Sequence, residues 1–235
     1  EQLLAMGEAP RRRLRDRDSP VEEGLLLNGF SASGNFVTRF TVLPPEEVTS
    51  VTAGGVNGMA VLPRDFVKGE TLQYHVGIED IERLTGSAFD AEAYAAVDQF
   101  LYMGALDFND TVDPRDFDRD RMEALEYRVF GPNMQRDRFP YTKWVYEDAG
   151  IDGTVFRIYD GVTHNPQPAF SDLVAFHRRA LNGGDTTALG GGVEADRSGG
   201  AGAPRLPTLP SVPRHRLLAR RSHSMVAGRS STTTV

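Results

Sequence analysis

Four short apolar runs, each bounded by glycine or another turn signal, alternate along the chain with stretches whose apolar positions recur at helical spacing. Leu25-Leu26-Leu27-Asn28-Gly29-Phe30, with Gly24 before it, is too short for a helix and predicts a strand buried on both faces. Val48 to Val56, Phe100 to Gly104 and Val155 to Tyr159 predict three more strands. Between the first two, Phe36, Val37, Phe40 and Leu43 fall at i, i+1, i+4 and i+7, which predicts a helix that Pro44-Pro45 must end. Further helices are expected over Arg119–Phe130, Tyr141–Ala149 and Phe170–Leu181. Residues 64–98 read as an irregular insertion with short amphipathic helices, one carrying Ile78, Ile81 and Leu84, another running from Ala91 to Val97. Residues 1–23, where Arg11, Arg12, Arg13 and Arg15 precede Asp16, Asp18, Glu22 and Glu23, read as a solvated helix and loop. Strands that alternate with helices predict parallel βαβ units, hence an α/β fold with a mostly parallel sheet flanked by helices.

The pattern stops at Asn182. Residues 183–235 are rich in Gly, Pro, Ser, Thr and Arg and lack periodicity, so they hold too few apolar groups to offset the entropy of ordering and are expected to be a disordered tail. Two segments are expected: a body over 1–182 and a low-complexity tail over 183–235 that is a flexible extension, a polyanion-binding arm or out-of-frame translation of GC-rich DNA. Charge divides at the same place. The net −7 consists of +7 from Arg197 onward, where seven arginines meet no acid, and −14 before it. A body this acidic repels phosphate backbones, so nucleic acid is not expected as its partner. There is no cysteine, which excludes disulfides, thiolate metal sites and a cysteine nucleophile. No apolar run approaches the roughly 18 residues of a membrane span, and the first residues lack the apolar core of a secretory signal, so a cytoplasmic protein is expected.

The most specific chemical signal is Gly29-Phe30-Ser31-Ala32-Ser33-Gly34, set between a buried strand and a helix. A strand-to-helix turn that lifts a serine into the open needs small residues two before and two after it. Gly29 and Ser33 meet that need around Ser31; Ser31 and Asn35 meet it poorly around Ser33. The plainer reading of the same turn is a strand–helix junction capped by Ser31 or Ser33. A serine nucleophile requires a histidine base oriented by a carboxylate. His164, in the loop after the last predicted strand, fits; His75 lies in the insertion, His177 in the last helix, and His215 and His223 in the tail. The acid is expected at the end of the strand between them. Asp107 comes first; Asp110 is the alternative, serving as the acid if the loop curls back or else fixing that loop as an Asx turn.

With these three segments in this order, each after a strand, the sequence resembles the α/β-hydrolase superfamily, more narrowly its esterase and polyhydroxyalkanoate-depolymerase-like members. The resemblance spans Leu25 to Leu181 and rests on the G-F-S-A-S-G turn, the G-A-L-D-F-N-D-T loop and the G-V-T-H loop. It implies Ser31 as nucleophile, His164 as base, Asp107 as acid and the Ala32 backbone N–H as one oxyanion donor, with residues 64–98 where such proteins carry a lid. Members of the family place several strands before the nucleophile strand, whereas 24 residues precede it here, so the chain is expected to correspond to the C-terminal part of such a hydrolase with its N-terminal strands missing. The expected activity is cleavage of a small-molecule or polymeric carboxylic ester without metal or other cofactor. The alternative is a non-catalytic hydrolase-like domain or fragment that binds a ligand or partner.

Overall fold

The computed structural model describes residues 2–112 and 121–190. The first two residues of the helix expected from Arg119, and positions 191–235 of the expected tail, lie outside the described residues. The chain divides into units Glu1–Val193 and Glu194–Val235, and everything described here belongs to the first.

A four-stranded sheet of β1 (Leu25–Phe30), β2 (Val48–Gly54), β5 (Asp98–Gly104) and β6 (Thr154–Tyr159) forms in that order, with every pair parallel. A two-stranded antiparallel hairpin, β3 (Phe66–Val67) with β4 (Glu70–Thr71), lies within the insertion. Because the strands advance across the main sheet in one direction, right-handed crossovers all pass over the same face. The packing follows this rule. From the crossovers, α2 (Ala32–Thr41) gives Val37 and Phe40, α4 (Ala91–Ala96) gives Tyr94, and α6 (Phe139–Asp148) gives Phe139 and Tyr146 to one core with Leu27, Val51, Ala53, Leu101 and Met103. Alternate residues of β5, Phe100 and Tyr102, turn to the opposite face. There they meet Leu173 and Phe176 of α7 (Phe170–Leu181), which follows the last strand and is free to cover the second face. The sheet is thus a middle layer between helices.

Each face carries a polar lock. On the crossover face the Tyr146 hydroxyl donates to Val61 O at 2.9 Å, which leaves its oxygen to accept from Tyr94 at 2.7 Å. On the other face Thr52 spends its hydroxyl proton on Asn28 Oδ1 (2.8 Å), so it accepts from His177 Nε2 at 3.2 Å, and Ser50 donates to His177 Nδ1 at 2.7 Å. Burial lowers the His177 pKa.

Three details differ from the sequence pattern. β1 is an edge of the sheet and is half-buried, with Leu26 and Asn28 exposed. Three consecutive leucines look doubly buried, but only strands with neighbours on both sides, β2 and β5 here, are buried almost throughout. The helix expected to run to Phe130 is α5 (Arg121–Leu125) followed by a π-turn over Glu126–Phe130. The packed chain also continues past Asn182: Thr186 Oγ1 donates to Asp98 Oδ1 at 2.6 Å, and Arg157 donates to the carbonyl of Leu189. At the other end, α1 (Gln2–Arg15) packs Leu3 and Leu4 on the crossover core. Within 64–98, α3 (Ile81–Thr85) and the hairpin contribute to the interior, where Leu72, Val76 and Ile81 are buried. No helix among the described residues is long and apolar enough to cross a membrane.

Burial pushes the Tyr94 hydroxyl from its ordinary 10.0 up to about 12. Above pH 10 the unfolded chain has released this proton while the native state keeps it, so stability is full below pH 10 and falls as pH rises toward 12, by on the order of 1 kcal/mol per unit. Tyr94→Phe is expected to flatten the loss of stability between pH 10 and 12 in urea titrations; parallel curves for the two proteins would contradict this assignment.

Candidate functional site

All four parallel strands end at the same edge of the sheet, the side on which ligands of open α/β sheets bind. Ser31 is the single residue between the end of β1 and the start of α2. Its backbone sits at φ 58° and ψ −124°, a region that costs a residue with a Cβ about 1–3 kcal/mol. Two interactions hold it there. Ser31 N–H donates to Gly54 O at 2.8 Å, tying the turn to the end of β2. Ser33 Oγ folds back, accepting from Phe30 N–H at 2.9 Å and donating to Phe30 O at 2.8 Å. The turn needs Gly29 because a Cβ there would lie 2.2 Å from the carbonyl oxygen of Ser33. Ser33, the rival serine, is therefore a brace, and Ser31 makes no capping bond through its side chain. Asn35 N–H is the first to bond back to Ser31 O, at 3.0 Å, which leaves the N–H groups of Ala32 and its two successors without intrahelical acceptors.

The β6–α7 loop is drawn across the end of β5. Ala105 N–H donates to Tyr159 O and Leu106 N–H to Val162 O, both at 2.9 Å. So close a crossing requires Gly104, where a Cβ would lie 2.2 Å from Val162 O. This crossing places His164 Nδ1 at 2.9 Å from Asp107 Oδ2. The Asp107 carboxylate is buried, while the imidazole is about one quarter exposed, against Phe30 at 4.5 Å between ring centroids. Phe30 immediately precedes Ser31, so the elbow, the imidazole and the acid share one edge.

The two candidate acids have different surroundings. Asp107 Oδ1 accepts Asn109 N–H at 2.9 Å, leaving Oδ2 for the imidazole. Asp110 turns away: one oxygen accepts Val112 N–H at 3.1 Å and the other pairs with Arg138, whose side chain is completely buried. Next to it, Thr111 donates through both N–H (3.3 Å) and Oγ1 (3.0 Å) to Asn57 Oδ1. Gln135 Nε2 donates to the Asp107 carbonyl. Arg138, Asn57, Gln135 and Asn109 were not singled out by the sequence. Only Asn109 has a local signal, since its N–H closes an i to i+2 turn on an aspartate; the others reach the loop from distant segments.

Ser31 Oγ and His164 Nε2 do not bond to each other in this state; Nε2 faces Asn109 Nδ2 at 3.1 Å. Chemically, the edge offers a hydroxyl on a strained turn, a carboxylate-oriented imidazole with one nitrogen left for proton transfer, and unspent helix N–H groups beside the hydroxyl. Clefts of about 320 and 430 Å³ lie elsewhere, one between Pro45 and Phe89 and the other between α1 and Phe36; neither is lined by Ser31, Asp107 or His164. Among the described residues no three His, Asp or Glu side chains gather as a metal site. Comparison with protein-family models, curated proteins and solved structures gives no match.

The two aspartates should separate cleanly in stability. Asp110→Asn leaves the buried Arg138 without its counter-charge and is expected to cost about 3 kcal/mol, as breaking a buried pair does. Asp107→Asn keeps an acceptor for Asn109 N–H and should cost under about 1.5 kcal/mol. Urea denaturation of both variants checks this, and equal losses would show that the Arg138 pair is not the structural anchor of the loop.

Proposed function

We propose that the chain is a serine hydrolase of the α/β-hydrolase type that cleaves carboxylic esters through Ser31, His164 and Asp107. The observation that carries this reading is the 2.9 Å Asp107–His164 pair, set beside the positive-φ Ser31 elbow at one edge of a parallel sheet. The order of serine, acid and histidine, past the ends of β1, β5 and β6, is that of the α/β-hydrolases. The ester class rests on the resemblance of the three loops to esterases and polyhydroxyalkanoate-depolymerase-like proteins, and the substrate is a small-molecule or polymeric ester.

In the reaction, His164 Nε2 takes the Ser31 proton as Oγ forms a bond to the ester carbonyl carbon. Asp107, on Nδ1, stabilises the imidazolium that results and holds the ring in place. The carbonyl π electrons move to oxygen, and the oxyanion accepts from Ala32 N–H at the positive end of α2. Collapse expels the alcohol, which receives the proton from Nε2. Water, deprotonated by the same nitrogen, then attacks the acyl-serine and releases the acid, returning the proton to Ser31. The chemistry needs no cofactor.

Ser31→Ala and His164→Ala should each abolish covalent labelling by a fluorophosphonate probe, since such residues act as a unit. Asp107→Asn should lower kcat by on the order of 10⁴. Labelling that persists in Ser31→Ala would overturn the assignment and leave the site to a binding role.

A further inference from the structure

Asn109 touches both partners of the acid–base pair. Its backbone N–H donates to Asp107 Oδ1 at 2.9 Å, and its side-chain Nδ2 lies 3.1 Å from His164 Nε2. An amide nitrogen only donates, so Nε2 must present its lone pair, and the ring proton must sit on Nδ1 and be given to Asp107 Oδ2. The turn over residues 107–109 is therefore a clamp with one group on each nitrogen of the imidazole, and it selects the tautomer that a general base needs. The same bond has a cost for catalysis. Nε2 has one lone pair in the ring plane, and this lone pair is the one that must accept the Ser31 proton. Donation from Asn109 and activation of Ser31 exclude each other.

We propose that Asn109 is a positioning residue that occupies the Nε2 lone pair of His164 at rest, in the tautomer that Asp107 fixes through Nδ1, and must release Nε2 before Ser31 can be activated. This inference rests on the hydrolase reading. Asn109 is exposed, so its amide can move from the ring into water without leaving a buried polar group behind. The resting bond is then a modest restraint. A net neutral hydrogen bond corresponds to a factor of about 2 to 10 in population, and that is the fraction of reactivity it holds back.

The test uses the full chain with three variants. Asn109→Ala removes the side-chain donor but keeps the backbone bond to Asp107, and Asn109→Ser, too short to reach Nε2, should behave the same way. Both are expected to raise the rate of fluorophosphonate labelling, and kcat on p-nitrophenyl acetate, about 2- to 10-fold with KM little changed. Asn109→Asp offers an acceptor in place of the donor, turns Nε2 into a proton donor, and should lower both by about 100-fold or more, the share of a general base. In ¹⁵N spectra of the imidazole ring, the wild type should show a protonated Nδ1 and a bare Nε2. The Ala variant should keep that tautomer with its Nε2 signal moved toward that of a free lone pair, while the Asp variant should show a proton on Nε2. Slower labelling in both Asn109→Ala and Asn109→Ser, or a wild-type spectrum with the proton on Nε2, would overturn the proposal. The hydrolase reading is tested separately: if no variant and no wild type labels at Ser31 but the spectra behave as stated, that reading fails while the clamp on His164 stands.

Discussion

The hydrogen bond from Ser31 N–H to Gly54 O joins the end of one strand to the end of the next, and the geometry of the candidate site depends on it. A serine at φ 58° does not hold that conformation on its own. The strain of about 1–3 kcal/mol persists because the sheet fixes both ends of the turn: β1 is in register with β2 up to Phe30 and Gly54, and α2 starts at the next residue. Release of that bond would let the turn relax to an ordinary junction, and Ser31 would no longer project beyond the strand ends. The same logic repeats one layer over, where Ala105 and Leu106 tie the end of β5 to the loop that carries His164. Backbone-to-backbone contacts, made possible by absent side chains at Gly29 and Gly104, thus set the positions of side chains far apart in sequence.

The strand and helix pattern was legible because the physics behind it is local. Period-two and period-3.6 spacing place Leu101 and Met103 on one face of β5 and Phe100 and Tyr102 on the other, whatever lies beyond. Cover is not local. Leu26 reads as buried because it stands among leucines, but it faces the side of the sheet that α7 covers over β2 and β5, and how far that helix reaches is not encoded in the six residues of β1. The boundary at Asn182 fails for a similar reason: polar, glycine-rich composition marks residues 183–190 as unstructured, while a hydroxyl bond from Thr186 to Asp98, 88 residues away, fastens them to the sheet.

The site shows the same division. Ser31, His164 and the pair of aspartates could be picked out because a strand end followed by a short loop is a readable context. The choice between Asp107 and Asp110 could be weighed only by nearness to the strand. In the structure Arg138, 28 residues further on, takes Asp110 into an ion pair, and Asp107 is the carboxylate that faces the imidazole. A buried arginine in a polar π-turn, Met134–Arg138, gives no sequence signal of burial, since arginine is seldom fully enclosed.

His177 and His164 illustrate how one side chain acquires different uses in one fold. His177 lies under α7 with Ser50 on Nδ1 and Thr52 on Nε2, both hydroxyls themselves buried in the sheet. Neither nitrogen can change partner without leaving a buried polar group unpaired, and burial disfavours its charged form, so the ring serves as a neutral bridge between helix and strand. His164 has the buried carboxylate of Asp107 on one nitrogen and the exposed amide of Asn109 on the other. The carboxylate bond is costly to break because Asp107 has no access to water. The amide bond is cheap to break because Asn109 does. A histidine with two buried partners is structural; with one buried and one exposed partner, it has a fixed orientation and a nitrogen that can be released. That asymmetry separates the two rings: His177 is fixed on both sides, whereas His164 keeps one nitrogen whose partner can turn away into water.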